Sequence, residues 1–231
     1  MRDRDMAVIG IGALLLLGGG ARMATPRPGD VTWIPSDDPM AQRDWSSWWA
    51  WPLPILTLPA GGGDFRPVIS QEWKVGHYGV DLMYRRKVPG IVDKVAWPPG
   101  TTNGSVNHFC PPGTPVLAAK RGKVWSVERT KRGIAVVLDH GPPWATFYQH
   151  LDTCNLPWTR RGKPLDGSVG REVEMGAAIG TAGADPLDGQ KLRHLHFACW
   201  YKGAGDAASV NPQPGIDRWG ARNWAPITIP R

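Results

Sequence analysis

Short apolar runs bounded by Gly, Pro and Asn recur along the second half of the chain. They include Pro115-Val116-Leu117-Ala118, Lys123 to Glu128, Ile134 to Leu138, Ala145 to Tyr148 and His194 to Tyr201. Runs of this length, rich in β-branched and aromatic residues, predict strands. Helical periodicity is scarce after residue 24, and 29 Gly and 23 Pro supply breaks between the runs. The pattern predicts an all-β domain of antiparallel sheets packed as a sandwich. No internal repeat is visible.

The N-terminus follows a different pattern. Met6 to Ala21 reads MAVIGIGALLLLGGGA, apolar without interruption. It predicts an apolar helix, slightly short of the about twenty residues of a comfortable membrane span. Its length also suits a signal-peptide core, with Gly19-Gly20-Ala21 as small residues for cleavage. Residues 1–24 therefore read as a leader, either an uncleaved anchor or a signal peptide. Burial inside a virion is a third setting. Residues 25–65 read as a linker rich in Pro, Trp and Gly. Its Trp33, Trp45, Trp48, Trp49 and Trp51 need a surface to cover them, by packing on the main domain or at a membrane interface.

The candidate chemistry lies in the histidines. His77-Tyr78-Gly79-Val80-Asp81 places a His and an Asp four apart, and His194-Leu195-His196-Phe197 is a His-x-His pair. His150 ends the run before Leu151. Neutral imidazoles and a carboxylate suit a divalent metal, above all zinc, which in catalytic sites takes three protein ligands and leaves one position open. On a strand His194 and His196 project to one face while Leu195 and Phe197 turn to the other. The pair reads as one ligand beside one catalytic imidazole. The His-Glu-x-x-His helix motif is missing, which excludes a zincin.

These motifs resemble the lysostaphin-like (LytM-type) zinc endopeptidases that cut peptide cross-links of bacterial peptidoglycan. Further stretches are similar: GTPVLAAKRGKV at 113–124, GIAVVLDHGPPWATFYQHL at 133–151, VEMGAAIGTAG at 173–183 and Val210-Asn211-Pro212. The resemblance spans roughly residues 70 to 215. It implies one Zn²⁺ held by His77, Asp81 and His196, with His150 and His194 as catalytic, non-ligand histidines. It implies peptidoglycan as substrate, on an all-β lysostaphin-like domain at residues 66–215, followed by a tail at 216–231. A setting facing the cell wall follows, exported or membrane-anchored in a bacterial envelope, or on a phage particle. The rival from another class is a non-catalytic wall-binding or virion structural protein that keeps the fold.

Two stretches depart from the family pattern. Leu82 to Pro112 supplies about thirty residues where a short link is usual. Its Arg85 and Arg86, with Lys87 and Lys94, are candidates for contact with an anionic substrate, against the alternative of a solvated basic face. Asp185 to Arg193 replaces the short Ser/Thr-Gly stretch before His-x-His. Tyr148, two residues before His150, is expected to share its face and to reach the cleft, or else to pack.

Charge adds little specificity. The net charge is +7 and the pI near 9.6. Lys and Arg are spread along the chain without a basic helix or a nucleic-acid motif, so nucleic acid is not expected as a partner. An anionic cell wall suits the same charge. Of three cysteines, Cys110 precedes one strand run and Cys154 follows another. If those strands are neighbours, the pair is placed for a disulfide, as in an oxidising compartment. Cys199 reads as a buried free thiol.

Overall fold

Each predicted run folds as a strand because one of its faces finds an apolar partner. The computed structural model describes residues 49–57, 64–85, 108–158, 170–189, 192–216, 219 and 227–228. The strands in chain order are β1 (Leu56–Thr57), β2 (Asp64–Phe65), β3 (Pro67–Gln71), β4 (Val80–Arg85), β5 (His108–Phe109), β6 (Pro115–Leu117) and β7 (Gly122–Thr130). They continue as β8 (Gly133–Asp139), β9 (Trp144–Cys154), β10 (Glu172–Val173), β11 (Ala178–Ala184), β12 (Arg193–Tyr201), β13 (Ser209–Val210) and β14 (Ile227–Thr228). One four-residue helix, α1 (Gln213–Ile216), lies between the last two.

Eleven strands join in one hydrogen-bonded antiparallel sheet, along the path β10-β7-β8-β9-β11-β12-β4-β3 with β5, β6 and β13 attached. A three-stranded sheet, β14-β1-β2, stands apart, and its β1–β14 pair is parallel. The all-β expectation holds. The large sheet is branched and continuous where two separate layers were expected.

The branch point fixes the site. Up to Gln149, β9 pairs with β12, with His196 opposite Gln149. From Leu151 it pairs with β11, with Ala182 opposite Leu151. His150 sits at the switch with φ of 67°. That left-handed conformation is uncommon for a residue with a Cβ. β12 changes partner at the same level, since His194 lies opposite Gly183 of β11. The close approach needs glycine at 183, where a Cβ would stand 2.5 Å from the His150 carbonyl oxygen.

The main core fills one face of the sheet. Leu195, Phe197 and Cys199 of β12 are fully buried there with Leu82, Tyr84, Phe109, Leu138, Tyr148 and Ile179. Each aliphatic or aromatic side chain so buried contributes about 1.5–3 kcal/mol. On the other face of β12, beyond His196, Ala198 and Trp200 pack with Trp125, Val137 and Ala145.

Residues 49–57, expected in the linker, belong to the packed domain. Trp49 is buried and stacks on Trp219 at 5.0 Å between ring centroids. Ala50 N–H donates to the Ala119 carbonyl at 2.7 Å, and Tyr84 O–H donates to Pro54 O at 2.8 Å. Ile216 and Trp219, expected in the tail, are likewise buried. Among the described residues no helix is long and apolar enough to cross a membrane. The apolar segment Met6–Ala21 and the earlier tryptophans lie outside those residues.

The expected Cys110–Cys154 disulfide is not formed, and all three cysteines are free. The strands concerned are not neighbours. Gly180 of β11 faces Val116 of β6 on one edge and Cys154 of β9 on the other, so β11 lies between them. Cys199 is the buried thiol expected.

Candidate active site

His77 enters the site on a tight turn before β4. Lys74 and His77 bridge each other through their backbones at 2.8 and 3.1 Å. Ser209 ties the turn down from β13: its hydroxyl donates to Tyr78 O at 2.7 Å and accepts from Trp73 Nε1 at 3.2 Å. The His77 Nδ1–H donates to Glu72 O at 2.9 Å, which turns the Nε2 lone pair inward. Asp81 follows on β4, and His196 of β12 stands opposite it in register.

Three donor atoms converge there. Asp81 Oδ1 lies 3.1 Å from His77 Nε2 and 3.0 Å from His196 Nδ1, and the two nitrogens are 3.2 Å apart. Donors on a tetrahedral shell at about 2.0–2.1 Å from zinc stand roughly 3.3 Å apart, so the triad fits such an ion. Without a cation, a carboxylate oxygen would face two ring nitrogens with only one N–H between them. The set His77, Asp81 and His196 is thus one that could hold a metal. Burial works to raise the Asp81 pKa, but the facing His196 and His77 rings, with His194 nearby, outweigh it and hold the carboxyl well below the usual range. The hydrogen bond to Asp81 raises His77 in turn, against the effect of burial.

Two further imidazoles line the same cleft. His150 and His194 face each other with ring centroids 4.6 Å apart. Each places Nδ1 on a backbone carbonyl at 2.8 Å, His150 on Arg132 and His194 on Leu192. Nδ1 is therefore the protonated nitrogen of the neutral rings, and each Nε2 carries a lone pair. Nε2 of His194 lies 3.7 Å from Asp81 Oδ1, and Nε2 of His150 lies 4.0 Å from Asp185 Oδ2. Burial, with the neighbouring His194, pushes His150 down to about 4, so its imidazole is neutral at pH 7.

The cleft encloses about 660 Å³, room for a few residues of a peptide. Gln71, Tyr78, Phe147, Gln149 and Leu192 line it with the histidines, and Arg132, Asp185, Asp188 and Asp206 add charge.

The structure thus brings His77, Asp81, His150, His194 and His196 into one cleft. It does not bring Tyr148 or Arg85, two of the expected substrate contacts, there. Tyr148 is fully buried on the core face, and its hydroxyl accepts from Ala119 N–H at 2.9 Å. The irregularity at His150 breaks the alternation that would have put the two residues on one face. Arg85 is exposed at the end of β4, four residues or roughly 13 Å beyond Asp81, and does not line the cleft. Arg86 lies outside the described residues. Residues not foreseen as cleft walls are Phe147 and Gln149, whose alternation along β9 was the available signal, and Arg132, which carries no sequence signal.

The sequence model of peptidase family M23 matches residues 101–212. The match includes His150, His194 and His196, while His77 and Asp81 precede it. Among solved structures, the chain is similar to the antimicrobial peptidase lysostaphin from Staphylococcus simulans, at 19% identity over 70% of this chain and 53% of that one, with a TM-score of 0.45. It is similar to a putative glycyl-glycine endopeptidase lytM from Ruminococcus gnavus, at 20% identity over 79% and 64%, with a TM-score of 0.48. It is similar to a zinc containing peptidase from Vibrio cholerae, at 20% identity over 73% and 39%, with a TM-score of 0.41. The chain spans about half the length of the lysostaphin chain it matches. Comparison with the curated proteins brought no match. The matched stretch, a little under half of this chain, is thus similar to peptidase family M23, and it carries three of the five cleft residues, His150, His194 and His196.

Proposed function

We propose that the protein is a zinc-dependent endopeptidase that hydrolyses the peptide cross-links of bacterial peptidoglycan. The observation that carries the reading is the pairing of a three-donor cluster with two imidazoles in one cleft. His77 Nε2, Asp81 Oδ1 and His196 Nδ1 would hold the ion. When bound, zinc supplies Lewis acidity toward a carbonyl and lowers the pKa of a water to about 7.

The remaining work falls to His150 and His194. The Arg132 and Leu192 carbonyls fix their tautomers, so both Nε2 atoms are ready to accept a proton. One imidazole takes a proton from the attacking water as its oxygen bonds to the scissile carbonyl carbon. The other, once protonated at Nε2, donates a hydrogen bond to the developing oxyanion. As the C–N bond breaks, the imidazolium returns its proton to the leaving amine. Half-burial of the cleft strengthens these interactions over their value in water.

Peptidoglycan as the substrate follows from the resemblance to the lysostaphin-like enzymes and agrees with the basic surface charge. On the same reading, the apolar leader would hold the enzyme facing the wall, at a membrane or on a particle.

The test uses the full chain, with and without a chelator, on several purified peptidoglycan types. Release of new amino groups that a chelator stops, with about one zinc per chain, supports the proposal. One zinc without cleavage of any wall would turn the reading to a non-catalytic wall-binding protein. No bound zinc would overturn it.

A further inference from the structure

The β7–β8 turn and the segment after β11 meet over His150 and address both of its ring nitrogens. Arg132 lies at the tip of that turn. The Thr130 hydroxyl accepts from Arg132 N–H at 3.0 Å and donates to Gly133 O at 2.8 Å, which closes the turn and fixes the direction of the Arg132 carbonyl. That carbonyl receives the His150 Nδ1–H at 2.8 Å. Gly133 lets the turn come close, since a Cβ there would stand 3.2 Å from the His150 Cα.

The Arg132 side chain runs the other way and pairs with the carboxylate of Asp185. Asp185 is only 4% exposed, although it lines the cleft. Its Oδ1 accepts the Leu187 N–H at 2.9 Å, and its Oδ2 stands 4.0 Å from His150 Nε2. That last distance is too long for a hydrogen bond. It is short enough for the carboxylate to bound the ring's movement on the Nε2 side.

Stability does not account for this arrangement. Arg132 is half exposed, so solvent screens the pair and its own contribution to stability is modest. What the pair does is link two segments to one imidazole. Asp185 opens the stretch that departs from the family pattern.

The geometry points to Asp185 and Arg132 as a positioning pair that holds His150 in its working orientation, Asp185 by anchoring the turn whose carbonyl fixes Nδ1. The inference rests on the reading of His150 as one of two catalytic imidazoles.

The experiment compares the full zinc-loaded chain with Asp185→Asn, Arg132→Ala, Arg132→Lys and the double variant Asp185→Asn/Arg132→Ala. Zinc content, Tm, kcat and KM are measured, together with the NMR signal of the His150 Nδ1–H. Asp185→Asn and Arg132→Ala should each lower kcat by about tenfold or more, with KM and zinc content little changed. The double variant should be no worse than either alone, because both break one link. Arg132→Lys, which keeps the pair and the carbonyl, should recover most of the activity. The Nδ1–H signal should exchange faster in the three variants that break the pair.

Full kcat and an unchanged Nδ1–H signal in Asp185→Asn would overturn the inference. So would a loss of activity that only follows a fall in folded protein. A wild-type chain that cleaves no wall would end the peptidase reading. The NMR comparison would then still decide whether the pair holds His150.

Discussion

His196 stands directly across from Asp81 in the β4–β12 register, with Nδ1 3.0 Å from the carboxylate. Strand pairing therefore assembles two donors that are 115 residues apart in the chain. The i,i+4 spacing on the turn before β4 adds His77. On this geometry His196→Ala should lose both zinc and turnover. His150→Ala should keep zinc near one per chain and lose about 10²–10⁴ in kcat, the usual range for a general acid–base group. Metal analysis beside a wall-cleavage assay checks both. Zinc retained by His196→Ala, or lost from His150→Ala, would show that the ligands are wrongly assigned.

Gly183 gives a test of the strand junction itself. A Cβ at 183 would stand 2.5 Å from the His150 carbonyl oxygen and 2.8 Å from Asp152 N, both backbone atoms that cannot swing away. Gly183→Ala should cost about 1–3 kcal/mol, in the range of overpacked positions. It should also displace His150 and depress kcat while zinc stays bound, since no ligand touches the new methyl group. Denaturant unfolding, metal content and kcat on one sample decide it. A variant as stable and active as wild type would mean that the junction tolerates more backbone movement than this packing allows.

The candidate donor motifs and the strand runs were legible because each is local, while the choice of His196 over His194 as a ligand came from the family resemblance. His-x-x-x-Asp needs one turn, and His-x-His needs only the two-residue period of β12. The place of His150 was legible only through the family resemblance. Alternation counted from Tyr148 puts both residues on one face, but His150 takes φ of 67° where β9 changes partner. No residue pattern in the sequence announces that change. Arg132 was invisible for a related reason. Its backbone carbonyl, which any residue would supply, makes the contact with His150. The packing of Trp49 was foreseen as one possibility. Its partners Trp219 and Trp144 come from distant segments that only the fold joins.

The thiols should behave as three separate groups. Burial pushes Cys110 up to about 12 and holds Cys199 well above its ordinary value. Cys154 is half-buried and raised less. A thiol reacts as its thiolate. At pH 8 the native chain should therefore give one slowly labelled cysteine, Cys154, and two that react only on unfolding. Mass mapping after alkylation checks the order. Fewer than three thiols in the chain unfolded without reductant, or a Cys110–Cys154 cross-linked peptide, would contradict the strand order in which β11 separates β6 from β9.

His140 should make stability depend on pH outside the metal site. Its ring is enclosed beside Trp49, with Nδ1 2.9 Å from the Arg121 carbonyl and Nε2 2.8 Å from the Thr146 hydroxyl. Burial pushes its pKa down to about 4, with the Arg121 carbonyl acting the other way. The unfolded chain takes up the same proton at about 6.5. Between these values the unfolded state binds more protons, so acid favours unfolding there. The contribution is whole above pH 6.5 and is lost as pH falls from 6.5 toward 4. The full shift would be worth about 3 kcal/mol, and the residue's partial solvent contact reduces that to about 2 kcal/mol. Urea unfolding of the metal-free chain at pH 7.5 and 4.5, compared with His140→Gln, isolates the effect because His150 titrates in both proteins. His140→Gln should be less stable than wild type at pH 7.5, having lost a well-fitted ring, yet lose about 2 kcal/mol less on acidification. Equal losses in the two proteins would show that His140 is reached by solvent and takes up its proton without opening the fold.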